Sequence, residues 1–471
     1  MAFNSIYFFI FLLSVVIGNY FINQKYRVLF LSIASIFFIT YYSVFSAVIL
    51  LASSFSTFYL AKNTKKTKLF LYVGIAFNSI LILLFNYFVF KNNLPGFEIA
   101  AIGFDVNSFV IALGLSFYSL QNISYLIEVY SGRYLPEKKF INYFLYNAFF
   151  VKIISGPVLQ SISFFPQLNT ITITKPDLII GFQRVLLGLC KKMVIADRLA
   201  PAVASVFDYN DSYSAVTTIA AVYLFTIQLY FDFSGYIDMA LGAARMLGIK
   251  LPENFNLPLR ATSIGEFWRR WHMTLINWFT NTIFYPLVYH FRKHKKMAAV
   301  IGIVATFLVS GVWHGIGFTF LVWAACHIVY LIVELFTKKL RLKIKEKSPL
   351  FIFQPIAVFI VFNLVCFSNI FFRADSFAKA TQLIKNSLAD FIPADFISDF
   401  IAPLAVGGHQ EERFNFYISI FITSIFLLFE RKINKIAINE KYNMFFVAII
   451  FLLIFLLGIF NSGERFIYMQ F

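Results

Sequence analysis

Apolar runs long enough to cross a bilayer recur along most of this sequence, and water-soluble cores of ordinary size cannot hide that much apolar surface. A crossing needs about 20 mostly apolar residues. Candidate spans are Ile6–Ile22, Val28–Tyr42, Ser43–Leu60, Leu69–Phe90, Phe109–Tyr130, Phe140–Val158 and Ala215–Phe231. Ser263–Val288, Ala298–Trp313, Phe318–Phe336, Leu350–Phe372, Phe414–Phe429 and Phe445–Phe460 follow. Val28 to Leu60 is too long for one upright helix, so a turn is expected at Tyr41, Tyr42 and Ser43. The run from Ile6 lacks a basic leader and a small-residue cleavage site, and reads as the first span rather than a signal peptide. The expected fold class is an all-α polytopic membrane protein, one membrane-embedded domain over residues 1–471.

Charge gives the spans a direction. The chain carries 40 Lys and Arg against 23 Asp and Glu, a net charge of +17. Such a balance also suits nucleic-acid binding. Here, however, the bases cluster between the apolar runs, which is a positive-inside pattern and argues against a nucleic-acid partner. The clusters are Lys25 with Arg27, Lys62–Lys68, Arg133–Lys139, Arg292–Lys296, Lys338–Lys347 and Arg431–Lys435. If each is cytoplasmic, two spans separate most neighbours. Both termini and the acidic loop Ala389–Glu412 then fall outside. Cys190, Cys326 and Cys366 are far apart and read as apolar core thiols, without a disulfide framework or metal site.

The middle of the chain is less regular. Gly156, Pro157 and Pro166 interrupt an apolar stretch. Gly181–Ala200 mixes apolar residues with Arg184, Lys191, Lys192, Asp197 and Arg198, as in an interfacial helix or one buried against protein. Leu251–Arg260 reads as a loop. Broken backbone at membrane depth survives only where protein or a cavity encloses it, so the centre is the expected place for a site.

Ionisable residues within spans cost about 2.5–3.5 kcal/mol on insertion scales, so they are functional candidates. His314 stands between apolar runs beside Gly315 and Gly317, where the helix can break. Its imidazole suits proton transfer, the alternative being a packed histidine bonded to a carbonyl. His327 follows thirteen residues later, on the opposite face of a straight helix, and converges with His314 only if the glycines break it. His272 lies with Arg269 and Arg270 among tryptophans, in a stretch that anchors at headgroups or walls a substrate entrance. Asp232 and Asp238 are six residues apart and read as partners for Arg245 or Arg270, with paired-carboxylate chemistry as the alternative; Ser234 and Gly235 suggest a bend. His290 and His294 have metal-ligand spacing, but the basic residues around them favour a solvated loop. His409 has no visible partner in the sequence.

Seven segments in order, which include His314, His272, Arg269, Arg270 and Asp232, resemble the membrane-bound O-acyltransferase family. They are Gly114–Glu128, Ser155–Pro157, Lys191–Asp197, Tyr230–Tyr236, Leu251–Asn256, Phe267–His272 and Trp313–Gly315. The likeness is strongest to the branch with alginate O-acetyltransferases and teichoic acid D-alanyl transferases, and the ending Phe466–Phe471 also resembles it. The resemblance implies a ring of roughly 11–13 transmembrane and re-entrant helices around a central tunnel. It implies catalytic roles for His314 and His272, and substrate contacts from Arg269, Arg270, Trp313, Asp232 and His327. It further implies an acyl thioester co-substrate (acetyl-CoA or an acyl carrier), no bound cofactor or metal, and a polysaccharide acceptor. A separate periplasmic or extracellular esterase-like partner of the SGNH type and a bacterial inner-membrane location complete the expectation. Where the family carries an Arg-Asp pair and an aromatic, this chain has Thr280, Asn281 and Thr282. The rival reading is a transporter or flippase for a glycan or lipid carrier, which also needs broken helices at the midplane.

Overall fold

Capping side chains divide the apolar runs into helices. In a computed structural model, which describes residues 3–92, 113–208, 213–390, 410–441, 443–460 and 467, Ser43 ends one helix in extended conformation and caps the next by accepting from the Ser46 N–H. The turn expected at Tyr41–Ser43 is therefore present. The first helices are α1 (Ile6–Phe21), α2 (Gln24–Tyr42), α3 (Val44–Asn63), α4 (Lys68–Asn92), α5 (Leu115–Tyr130) and α6 (Phe140–Ala148). Then come α7 (Ser161–Leu168), α8 (Lys175–Cys190), a π-helical turn at Lys191–Ala196, α9 (Asp197–Phe207) and α10 (Ala215–Met246). The central crossing is split into α11 (Ile264–Arg270), α12 (Met273–Phe279), a second π turn at Thr280–Phe284 and α13 (Tyr285–His290). It is followed by α14 (Lys296–His314), α15 (Phe318–Lys347), α16 (Leu350–Arg373), α17 (Phe377–Asn386), α18 (Gln410–Ala437) and α19 (Met444–Leu457). The all-α class holds, with no strand among the described residues.

Six of these helices, α3, α4, α10, α14, α15 and α16, are long and apolar enough to cross a membrane, and α1 and α19 are shorter apolar helices. Burial separates the centre from the rim. The apolar stretch of α10 is 67% buried, against 22% for α15 and 17% for α16. The outer helices instead present large apolar side chains such as Phe37, Phe55, Phe359 and Phe455 to their surroundings.

Two expected spans and one expected bend are corrected. Phe140–Val158 is helical only to Ala148, after which turns and extended backbone run to Gln160. Ser263–Val288 breaks at His272, whose φ of 43° lies in the left-handed region and turns the chain between α11 and α12. Conversely, no bend occurs at Ser234 and Gly235; α10 runs unbroken through both. His409 and most of the acidic loop Ala389–Glu412 lie outside the described residues.

Gly235 serves a different purpose. On α8 and α10, Gly188 faces Gly235 and Gly181 faces Gly242. A Cβ added to Gly188 would stand 2.4 Å from the Gly235 carbonyl oxygen, and one on Gly181 would stand 2.6 Å from that of Gly242. The two backbones are in direct contact, as small residues allow between membrane helices. Gly181–Ala200 is thus a helix buried against protein, one of the two expected alternatives.

The close approach lets short reaches join charges across the interface. Lys192 Nζ meets Asp197 and Asp232, each at 2.7 Å, with all three side chains at most 2% exposed. Lys191 Nζ meets Asp238 at 2.7 Å, and Arg184 joins that carboxylate at 2.9 Å while reaching Glu253. The two aspartates are structural partners, but not of the arginines the sequence suggested. Arg245 pairs with Asp177 and Arg270 with Glu266.

On the other flank an amide network fastens α3 to α6. Asn122 Oδ1 accepts from the Tyr143 hydroxyl (2.6 Å) and Asn147 Nδ2 (2.7 Å), and its Nδ2 donates to Asn78 Oδ1 (2.9 Å) and Ser53 Oγ (3.0 Å). Gln121 extends the network to Lys152 Nζ at 2.9 Å, in the irregular stretch after α6. Buried amides are stabilising only when so satisfied.

Gly188→Ala should force α8 and α10 apart and cost about 1–3 kcal/mol, the usual range for overpacking. Gly132→Ala, with no atom within 4 Å of the added methyl but a φ of +75°, should cost about 1 kcal/mol. Thermal melts of the detergent-extracted protein check the order; equal melting points would refute the contact. In the same assay Lys192→Met should cost about 3–5 kcal/mol, because it leaves two buried carboxylates without their lysine.

Candidate active site

Two breaks in the helical pattern bring the histidines together. Helix α14 ends at His314, Gly315 and Gly317 make the turn, and α15 runs back from Phe318. Gly311 allows this return, since a Cβ there would meet both the Ala324 methyl and the Phe320 carbonyl at 3.0 Å. The last carbonyls of a helix have no intrahelical donor. Here Asn86 Nδ2 of α4 donates to the carbonyls of Val312 and Trp313, each at 3.0 Å, and holds the end of α14 in place. The glycine break expected from the sequence therefore occurs, and it folds His327 back toward His314.

The second break is the turn at His272. Asn254, in the loop before α11, braces it: its carbonyl accepts from the Met273 N–H at 2.9 Å, and its Oδ1 accepts from Thr274 N (3.1 Å) and Oγ1 (2.6 Å). Thr274 Oγ1 in turn accepts from Val158 N–H at 3.0 Å, so the irregular stretch after α6 is tied to the same turn. A histidine tolerates left-handed backbone better than a branched residue. The ring of His272 is buried between Phe117, stacked at 6.1 Å, and Phe233, edge-on at 4.8 Å.

An aromatic series links all three histidines. Phe117 stacks on His272 and meets Trp313 at 5.4 Å. Trp313 lies 4.7 Å from His314, His314 5.1 Å from Trp323, Trp323 5.0 Å from His327, and His327 4.9 Å from Trp268. The chain's five tryptophans all fall between residues 268 and 323, and each packs into this region. Trp278 is anchored by its Nε1, which donates to the Leu120 carbonyl at 2.8 Å.

His314 and His327 line one cavity of about 20 Å³, with room for roughly one water-sized group. Thr226, Asn369 and the two histidines give it polar edges, and Leu229, Val365, Phe372 and Trp323 give it apolar walls. The state of His327 follows from its neighbours. Trp268 Nε1, which can only donate, points at His327 Nδ1 at 3.3 Å. Nδ1 is then the acceptor, the proton sits on Nε2, and Nε2 donates to Ser368 Oγ at 3.1 Å. The Ser368 hydroxyl donates onward to the Val365 carbonyl at 2.9 Å. A neutral imidazole satisfies every one of these bonds.

The other candidates sit apart from the cavity. Asp232 is committed to Lys192 and, through Oδ2, to the Ile467 N–H at 2.8 Å. Arg269 is exposed, and Arg270 is half-buried against Glu266 at 2.6 Å. Thr280 and Asn281 lie on the second π turn, which contains no buried residue. His290 closes α13 and His294 lies in a short 3₁₀ turn, both exposed. Sequence reasoning missed Asn254, Phe117, Thr226, Ser368 and Asn369. The crowding of tryptophans between 268 and 323 was the available signal for the region, while Thr226, Ser368 and Asn369 carry none until α10 and α16 pack.

Comparison with known proteins covers the region of this site. Residues 137–374, which hold the three histidines and the cavity, match the model of the membrane-bound O-acyltransferase family. The chain is 30% identical to a peptidoglycan O-acetyltransferase of Helicobacter pylori, over 82% of its own length and 79% of the relative's. It is 30% identical to a probable alginate O-acetylase of Pseudomonas aeruginosa, over 82% and 74% of the two lengths. A teichoic acid D-alanyltransferase of Bacillus subtilis is 29% identical, over 56% of this chain and 69% of the relative. A multi-pass, membrane-embedded helical chain with a histidine at a helix break, matched by these acyltransferases, belongs to the membrane-bound O-acyltransferase family.

Proposed function

We propose that this acyltransferase moves an acetyl group from a cytoplasmic thioester across the membrane toward hydroxyls of a cell-surface or exported polysaccharide. The observation that carries the reading is His314, buried at the break between α14 and α15 and lining the cavity. Eighteen residues of helix separate it from Lys296, about 27 Å of rise. The hydrocarbon core is about 30 Å thick. With the basic cluster Arg292–Lys296 on the cytoplasmic side, His314 stands toward the far side, where an acceptor hydroxyl on the way to the polysaccharide arrives. A thioester on an extended arm enters from the basic side, and the exposed Arg269, beside the half-buried Arg270, attracts its phosphates.

In the reaction, the neutral His314 imidazole takes the proton of the attacking hydroxyl while its oxygen bonds to the thioester carbonyl carbon. The carbon–sulfur bond then breaks, and the thiolate leaves and recovers the proton from the imidazolium. General base catalysis is worth roughly 10²–10⁴ in rate. His272, fixed by Asn254 and Phe117, positions the reacting groups from the other break, with Trp313 between them. His327 holds Trp268 and, through Trp323, the wall beside His314. No cofactor is required by these steps. A separate periplasmic or extracellular esterase-like partner of the SGNH type completes delivery to the polysaccharide.

His314→Ala should abolish chain-dependent acetylation of surface glycans, measured by mass spectrometry, with the protein still inserted at normal levels. Retained acetylation would sink the assignment, and glycan export without acyl consumption would favour a transporter. His327→Ala should lower activity about 10-fold or more. His327→Gln, whose amide can accept from Trp268 and donate to Ser368, should recover part of it. Equal activity in the two variants would remove the hydrogen-bond role of His327.

A further inference from the structure

Relatives of this chain carry two different acyl groups in their names, acetyl and D-alanyl. The cavity beside His314 bears on that difference. It is bounded by α10 through Thr226 and Leu229, by α16 through Val365, Asn369 and Phe372, and by α15 through Trp323 and His327. We propose that this cavity receives the acyl group of the donor, and that Leu229, Val365 and the Thr226–Asn369 pair restrict it to an uncharged acyl of two carbons. The inference rests on the acyl-transfer reading above and specifies which residues of the site select the group.

Size is the first argument. About 20 Å³ admits roughly one group of water or methyl dimensions. The walls that limit it are well packed: Leu229 and Val365 are 3% and 4% exposed. Both side chains are packed against their surroundings and stand on facing helices, α10 and α16. A single methylene in such a pocket is worth about 10–200-fold in selectivity.

Charge is the second argument. No carboxylate lines the cavity among the described residues. The nearest acidic residue along α10, Asp232, is engaged by Lys192 and the Ile467 N–H. The Thr226–Asn369 edge of the cavity is already bonded internally. Asn369 Nδ2 donates to Thr226 Oγ1 at 3.1 Å, and the Thr226 hydroxyl donates to the Val222 carbonyl at 3.3 Å. An α-ammonium in this space would be a buried charge without a counter-ion, which is strongly unfavourable. A methyl ketone-like acetyl group carries no such charge, and its methyl meets apolar walls.

The test uses the full chain in cells, comparing wild type, a deletion and variants at matched membrane levels. Cells are grown with and without propionate, and carboxylic acids and amino acids released by base from the surface polysaccharide are measured by mass spectrometry. In wild type the chain-dependent group should be acetate, with propionate at least about 10-fold lower even when fed. Val365→Ala and, from the facing helix, Leu229→Ala should each raise the propionate-to-acetate ratio about 10-fold. Val365→Ile, which adds a methylene and leaves no cavity, should lower acetate. An unchanged ratio in both enlarging variants overturns the proposal, as does D-alanine as the chain-dependent group in wild type; in either case an acyl-transfer function survives. Absence of any chain-dependent ester overturns the acyl-transfer reading itself and this inference with it.

Discussion

Everything in the centre of this protein depends on two helices whose backbones touch. The contacts of Gly188 with Gly235 and Gly181 with Gly242 remove side chains from the α8–α10 interface. At that separation Lys191 and Lys192 reach Asp238 and Asp232 of α10 at 2.7 Å, with Asp197 completing the Lys192 pair from its own segment. Charges in an apolar environment are tolerable when each finds its counter-ion with good geometry. The glycines supply that geometry, and the ion pairs in turn fix α10 against α8 in one register. Because α10 also carries Thr226 and Leu229, the same contact sets one wall of the cavity.

A bilayer forbids broken backbone facing lipid. This chain breaks at Phe149–Gln160, at His272 and at Gly315–Gly317; the first two breaks are buried almost throughout, while the third carries the exposed Ile316 at the end of α14. The breaks are also joined to one another. Asn254 and Thr274 tie the His272 turn to Val158, and Phe117 with Trp313 connects that turn to the end of α14. Irregular segments that would each be costly alone thus hold one another, and a region able to admit polar groups forms among otherwise apolar helices.

Much of this was legible in the sequence because membrane helices are written in composition. The spans with a cap at one end, such as α2 and α3 around Ser43, fall where apolar length and turn chemistry place them. His314 was legible because an ionisable group between apolar runs and beside glycines has few cheaper explanations. What composition hides is interior backbone. Phe140–Val158 and the first half of Ser263–Val288, to Phe279, are apolar largely because they pack within protein, and burial by protein and burial by lipid select the same residues. Gly235 misled for a related reason: a glycine that permits a bend also permits close contact, and only the facing Gly188 decides between them. Asn369 and Thr226 carry no signal at all until α10 and α16 pack.

The site handles its electrostatics differently from a Ser-His-Asp triad, where a buried carboxylate orients the histidine and stabilises its charged form. Here Asp232 and Asp238 are engaged by Lys192, Lys191 and Arg184, and no carboxylate lines the cavity among the described residues. Orientation comes instead from aromatic packing: Trp313 and Trp323 flank His314, and Trp268 with Ser368 fixes the tautomer of His327. Both rings are thus set by aromatic walls and a serine hydroxyl, and the cavity edge among the described residues is made of neutral polar groups, Thr226 and Asn369, beside the two histidines.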